Sequence, residues 1–301
     1  MSGRQFESMN IQWYPGHMTK ARRMIEENVK QVDAVCEILD ARIPYSSRNP
    51  DIDSLASGKP RLVILNRCDL ADPKMTARWS AFFKSLGFAV LETDAKSGKG
   101  VGGFAPAIRT LLQNKLKEYE AKGQVGRTLR VMILGIPNVG KSTLINKVAG
   151  RKAAAAGDKP GVTRGRQWIS IGNGLDLLDT PGILWPKFDS QEVGELLAVT
   201  NAIKADILDR ETLGANFMLR LALYYPEAVR ERYKIEPDVQ AGGFALLEQA
   251  ARKRGFLVSG GDADLERMAN TLLKEYHEGK LGRLTLESPD DRALDAGKRD
   301  L

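Results

Sequence analysis

Residues 129–134 form a short apolar run. It feeds directly into Gly135-Ile136-Pro137-Asn138-Val139-Gly140-Lys141-Ser142. Two glycines at this spacing, followed by lysine and a hydroxyl, let successive backbone N–H groups wrap around phosphates. The helix expected behind them points its positive end at the same place. Lys141 is placed to reach the β- and γ-phosphates and the Ser142 hydroxyl to ligate Mg²⁺. Pro137, Val139, Gly140 and Thr143 complete the segment. Such a loop sits at the carboxyl end of a buried parallel strand, so it commits this part of the chain to an α/β sheet with its site at the strand ends.

Further segments carry chemistry that fits a nucleotide. The apolar run 175–178 ends at Asp179-Thr180-Pro181-Gly182. Asp179 suits a Mg²⁺ contact, and the Gly182 N–H suits sensing of the γ-phosphate. Thr163 lies in a Gly- and Pro-containing loop, and its hydroxyl could complete the Mg²⁺ shell. Asn66-Arg67-Cys68-Asp69 follows the apolar run 62–65. A carboxylate such as Asp69 accepts from guanine N1–H and the 2-amino group together, and adenine has no such donor pair. Asn66 is expected to brace that loop, and Arg67 to lay its aliphatic stem over the base where lysine is usual. Asp94-Ala95-Lys96 follows the run 88–91. The Ala95 N–H is expected to meet guanine O6, and Asp94 stands where serine is commoner.

The order of these pieces is unusual. The base-reading segments precede the phosphate loop, where the usual arrangement has them last. A parallel sheet tolerates this, because a site at strand ends depends on spatial position and not on chain order. Runs 32–39, 62–65, 88–91, 129–134 and 175–178 read as strands. Residues 18–30 have helical spacing, and 121–127 read as a linker. After Pro186 the strand pattern stops, and 191–207, 211–224, 243–254 and 264–277 read as helices, the last capped by Gly260-Gly261-Asp262. The expected organisation is a nucleotide domain over 10–187, a helical domain over 188–287 and a charged tail over 288–301. Net charge is +7 over 301 residues, which favours an anionic partner such as RNA. Arg252, Lys253, Arg254, Lys274, Lys280 and Arg283 are the candidate RNA contacts of the helical part. Two lone cysteines form no metal or disulfide framework, and no long apolar run suggests a leader or a membrane span.

Taken with Trp13-Tyr14-Pro15-Gly16-His17-Met18, Asp40-Ala41-Arg42-Ile43-Pro44 and Ala251-Arg252-Lys253-Arg254-Gly255, this order resembles the circularly permuted GTPases, and in particular the ribosome biogenesis GTPase A family. The likeness covers about residues 10 to 287. It implies a circularly permuted Ras-like P-loop GTPase sheet followed by a small all-α domain similar to the ANTAR RNA-binding bundle. It also implies a cytoplasmic, monomeric factor that binds GTP and GDP, contacts ribosomal RNA on the immature large (50S) subunit and turns over GTP there. Likeness to potassium-activated GTPases suggests that Asn138 holds K⁺ against the phosphates. Ile183 stands where many GTPases place the glutamine that orients the attacking water. An aliphatic side chain cannot do this, so intrinsic hydrolysis is expected to be slow. The permutation places the helix that begins near His17 beside the switch, which makes His17 the candidate to orient that water. His277 is expected to be a polar surface residue. An RNA-binding scaffold whose nucleotide site only sets conformation is the alternative. RNA modification or metal delivery would want cofactor motifs or a His/Cys cluster, which this sequence lacks.

Overall fold

The computed structural model describes residues 6–9, 17–124, 126–150, 167–172, 174–186, 188, 190–203 and 208–290. The chain divides into two compact units. One joins Trp13–Lys187 to Glu287–Leu301, and the other joins Met1–Gln12 to Phe188–Leu286.

The first unit is built on a six-stranded sheet. Its strands are β1 (Ala34–Asp40), β2 (Arg61–Asn66), β3 (Ala89–Glu92), β4 (Leu129–Gly135), β5 (Gln167–Ser170) and β6 (Leu175–Asp179), in the order β3-β2-β1-β4-β6-β5. All neighbours are parallel except β5, which runs antiparallel to β6. β1 lies between β2 and β4, and all seven of its residues are buried, as suits an inner parallel strand, with Glu37 and Asp40 buried against arginine partners. β3, at the edge, is only half-buried. The strand carrying the phosphate loop is thus the fourth in the chain yet central in the sheet, as expected of a permuted nucleotide domain. β5 is an addition to the sequence reading. It is four residues long, and among its described side chains only Ile169 is buried, so it offers little periodicity to detect.

Helix α1 (His17–Asn28) precedes the sheet, and helices α2 (Asp51–Leu55), α3 (Pro73–Ser85), α4 (Phe104–Leu111), α5 (Gln113–Ala121) and α6 (Lys141–Ala149) connect the strands. The Asp72 carboxylate accepts from the Lys74 and Met75 N–H groups and Pro73 opens the helix, so α3 begins with its orphan donors met. Trp79 and Phe83 of α3 then pack on Leu39, Val63 and Leu65 of the sheet. The chain after Leu286 returns to this unit. The Glu287 carboxylate accepts from Tyr45 N–H at 2.8 Å and from Ser46 N–H at 3.1 Å, and Trp79 Nε1 donates to the Glu287 carbonyl at 3.2 Å. Asp290 pairs with Arg78, so the expected tail starts as attached structure; 291–301 lie outside the described residues.

The second unit contains α7 (Gln191–Val199), α8 (Arg210–Tyr224), α9 (Pro226–Tyr233), α10 (Gly243–Lys253) and α11 (Leu265–His277). α7 stops at Thr200, short of the expected Ile207; residues 204–207 lie outside the described residues. α9 escaped the sequence reading because it buries only Val229 and Tyr233. α8 packs against α11 at Gly214, where a Cβ would stand 3.0 Å from Ala269 Cα and closer still to Ala269 Cβ. The cap of α11 is Asp264, whose carboxylate accepts from Arg267 N–H at 2.9 Å, and not the Gly260-Gly261-Asp262 turn. His277 is half-buried, with Nε2 2.7 Å from the Val199 carbonyl, which corrects its expected surface position. The N-terminal residues Phe6 to Met9 belong here too. The Asn216 amide accepts from Glu7 N–H at 2.9 Å and donates to the Glu7 carbonyl at 3.0 Å, reading both backbone groups of one residue. Among the described residues, no helix is long and apolar enough to cross a membrane.

Candidate nucleotide site

The parallel register aligns the strand ends that carry chemistry. Asp40 faces Asn66, Ile38 faces Gly135 and Ile133 faces Asp179. One row along the carboxyl edge therefore presents the base-reading loop, the end of β1, the phosphate loop and the Asp179 segment, where ligands of parallel sheets bind.

Asn66 joins the two halves of the site. Its Nδ2 donates to the Val139 carbonyl at 2.8 Å, and its Oδ1 accepts from Thr93 Oγ1 and from Ala95 N–H, both at 3.0 Å. Gly140 has φ +103°, and a Cβ there would collide with Asn66 Nδ2. Only glycine serves at that point, on both conformational and steric grounds. Arg67 also has a left-handed backbone, φ 64°. Its Nη2 donates to the Asn138 carbonyl at 2.8 Å. Asn138 itself has φ 58°, a strained conformation for a non-glycine residue and one that asparagine tolerates better than most. Asp69 stands exposed at the loop, with its carboxylate open to a ligand's donors.

Asp94 behaves differently from a base contact. Its Oδ1 accepts from Lys96 N–H at 2.9 Å and Ser97 N–H at 3.2 Å, so it ties the 94–98 turn together. Burial alone would raise its pKa, but these hydrogen bonds, with Lys96 nearby, hold it below the ordinary carboxylate value. The Ala95 N–H, expected at guanine O6, donates to Asn66 Oδ1 instead, so O6 must share that donor or replace the acceptor.

Lys141 opens α6 from a buried position. Its Nζ donates to the Gly135 and Ile136 carbonyls at 3.1 and 2.8 Å. Burial lowers its pKa to about 8, against the opposing pull of the Asp179 carboxylate. Phosphate oxygens would restore its full charge. Asp179 is itself buried, and the following Thr180 Oγ1 donates to the Ile133 carbonyl at 2.7 Å. Gly182 lies hard against the phosphate loop. A Cβ there would meet Pro137 N at 2.7 Å, Pro137 Cα at 2.8 Å and Lys141 Nζ at 3.0 Å. Ile183 N–H donates to the Gly135 carbonyl at 3.2 Å, and the Ile183 side chain is buried. A buried Asp179 carboxylate beside the strand that ends in the Ser142 loop makes an oxygen-only donor set, which fits a hard cation such as Mg²⁺. Thr163 lies outside the described residues, as does the side chain of His17, whose backbone begins α1.

Several of the RNA candidates hold partners within the protein. Arg254 donates to both oxygens of the buried Glu275, at 2.9 and 3.2 Å, beside Arg232 and Tyr233. Arg252 pairs with Glu248 and reaches the Gly261 carbonyl, and Lys280 pairs with Glu278. Lys253, Lys274 and Arg283 are exposed. The partners of Arg252 and Lys280 lie four and two residues away, whereas the Arg254–Glu275 pair joins two helices and leaves no local sequence signal.

Comparison with known proteins agrees with this geometry. The model of a family described as 50S ribosome-binding GTPase matches residues 130–212. A Bacillus cereus protein named Ribosome biogenesis GTPase A is 45% identical over 94% of this chain and 95% of its own length. Its Thermotoga maritima namesake is 34% identical over 93% of this chain and 95% of its own. Among solved structures, GNP-bound YlqF from T. maritima superposes with a TM-score of 0.61 at 32% identity, covering 90% of this chain and 98% of that one. A GDP-bound YlqF gives 0.62 at 30% identity, covering 88% and 99%.

Proposed function

The chain belongs to the ribosome biogenesis GTPase A family and hydrolyses GTP, and on that premise we propose that it acts late in assembly of the large ribosomal subunit, binding ribosomal RNA on the immature particle and being stimulated by it. The observation that carries the nucleotide part is the Asn66 amide bonded to the Val139 carbonyl, which seats the base-reading loop on the phosphate loop. In this reading Asp69 reads the guanine, and residues 137–143 cradle the phosphates with Lys141 supplying charge. Ser142, Thr163 and Asp179 hold Mg²⁺, which when bound neutralises phosphate charge. Asn138 holds K⁺ near the same oxygens, adding positive charge where negative charge grows in the transition state. The Gly182 N–H senses the γ-phosphate.

Ile183 supplies no polar group, and its side chain is buried, which supports slow intrinsic turnover. His17 orients the attacking water once the particle is engaged. The RNA surface comprises Arg252, Lys253, Arg254, Lys274, Lys280 and Arg283, with Arg254 contributing what its buried Glu275 partner leaves. The protein works as a cytoplasmic monomer that cycles between GTP and GDP. Sedimentation of the tagged protein with ribosomal fractions tests this. Nucleotide-dependent co-migration with immature large subunits, lost in high salt as phosphate contacts yield to counterions, is the expected result. Migration with free protein under all nucleotides, or with small subunits, overturns it.

A further inference from the structure

The end of β1 holds a carboxylate that the reading above leaves without a task. Asp40 is buried at the strand terminus, in register with Asn66. Its carboxylate is gripped from one side by the wholly buried Arg42. There Nε donates to Oδ1 at 2.9 Å, Nη2 to Oδ2 at 2.7 Å, and the Arg42 N–H to Oδ1 at 3.0 Å. On the other side Arg67 Nε lies 3.7 Å from Oδ2. Burial raises the Asp40 pKa, but the Arg42 and Arg67 charges outweigh it and keep the carboxyl ionised. A buried ion pair adds little net stability over an apolar pair, so stability alone does not account for this one.

What it does is fix Arg67. The Arg67 guanidinium donates to the Asn138 carbonyl of the phosphate loop and pairs by charge with the Asp40 carboxylate 3.7 Å away. A planar fork with several N–H groups can serve both at set angles. An ammonium is a single point charge and cannot hold the same bridge. This accounts for arginine at a position where the motif leads one to expect lysine. The turn behind Asp40 is also held. Asp40 N–H donates to Ser47 Oγ at 3.0 Å, and the next residues of the turn, Tyr45 and Ser46, donate to the buried Glu287 carboxylate. Glu287 directly follows Leu286, the last residue of the helical unit.

We propose that the turn over residues 40–47 is a positioning element for guanine recognition, in which Asp40 sets Arg67 against the phosphate loop and Glu287 holds the turn in place. Asp40 and Glu287 touch no substrate; they act through Arg67. The proposal rests on residues 66–69 being the base reader.

The test is a double-mutant cycle on the full chain, with fluorescent GDP and GTP as the probes. Asp40→Asn is expected to raise the GDP Kd by roughly tenfold when Arg67 is present, and by less than about twofold when Arg67→Met is also present. The effect should fall on KM and not on kcat. Asp40→Asn also weakens the hold on buried Arg42, so a fold defect is covered by a second variant. Glu287→Gln leaves the Asp40–Arg42 pair intact and should raise the Kd by roughly threefold, again only when Arg67 is present. Equal losses with and without Arg67, or unchanged affinity in a folded Glu287→Gln protein, overturn the proposal. Asp69→Asn with xanthine nucleotides separates the two readings. A failed base switch removes the base reader itself, whereas a successful switch with additive Asp40 and Arg67 effects removes only the positioning role.

Discussion

Gly182→Ala is the sharpest perturbation of the phosphate side of the site. The added Cβ would lie 2.7 Å from Pro137 N, 2.8 Å from Pro137 Cα and 3.0 Å from Lys141 Nζ. Two of these neighbours are backbone atoms of the phosphate loop. That loop is fixed by the Asn66 and Arg67 bonds, so it cannot recede cheaply. The 179–182 segment must move outward, at an overpacking cost of about 1–3 kcal/mol. If the Gly182 N–H senses the γ-phosphate, as proposed, moving the segment withdraws that donor. A hydrogen bond to a charged group contributes about 1.5–3 kcal/mol, which converts to a loss of roughly 10- to 100-fold. GDP lacks that phosphate, so its affinity should stay within about threefold of the parent. Competition of fluorescent GDP against unlabelled GDP and a non-hydrolysable GTP analogue reads both numbers, and turnover should fall with GTP-state affinity. Equal weakening of both nucleotides would mean that the alanine deforms the whole loop. No weakening of either would mean that the 179–182 segment does not sense the γ-phosphate.

Potassium should accelerate hydrolysis more than sodium at equal ionic strength, and Asn138→Ala should erase the difference; equal rates for the parent protein in both salts count against the K⁺ site. Glu275 is pushed up by burial, but hydrogen bonds from Arg232, Tyr233 and Arg254 bring its pKa down to about 2 from 4.5. Its stabilisation is therefore complete above pH 4.5 and lost as pH falls toward 2. Glu275→Gln should cost the helical unit about 2 kcal/mol at neutral pH, because it leaves two partly exposed guanidiniums without their counter-charge. It should also flatten the acid limb of the denaturation curve, and an unchanged acid limb would show that the Glu275 network is not what titrates. His17→Ala should spare nucleotide and particle binding while lowering particle-stimulated turnover by roughly 10²-fold. Retained stimulation would make His17 structural, and lost particle binding would make it a docking contact.

Much of the sheet was legible in the sequence because inner parallel strands bury both faces. Strands 34–40, 61–66 and 129–135 are predominantly apolar, despite Glu37 and Arg130 within them, and lead into polar motifs that announce themselves by spacing. Edge elements were not legible. β5 alternates over only four residues, and its pairing with β6 is decided by tertiary context. α9 has two buried residues and begins at Pro226, so no apolar stripe marks it. Within the site, chemistry could be read but partnership could not. Arg67 looked like a base-stacking stem, and its links to Asn138 and Asp40 depend on neighbouring strands that are distant in sequence. Ala95 and Asp94 were read by analogy of position, whereas the observed bonds turn both inward, to Asn66 and to the local turn. The same blindness affected Arg254, whose partner Glu275 sits on a different helix. Glu287 carried no signal, because its role depends on the chain returning to Tyr45 and Ser46.

The proposed nucleotide specificity depends most on one pairing: a base reader at residues 66–69 serving a phosphate loop that comes later in the chain. Asp69→Asn tests it directly. The amide keeps one acceptor and gains a donor, which no longer matches guanine N1–H and the 2-amino group but does match the extra carbonyl of xanthine. Titration with fluorescent GDP and XDP, and turnover of GTP and XTP, should show guanine affinity falling by roughly 10²-fold, because a donor then faces the guanine 2-amino donor. Xanthine affinity should rise by a comparable factor, and XTP hydrolysis should appear at a rate near the parent's with GTP. If Asp69→Asn keeps full guanine preference and gains no xanthine binding, the base is read elsewhere, and the permuted assembly of this site is wrong.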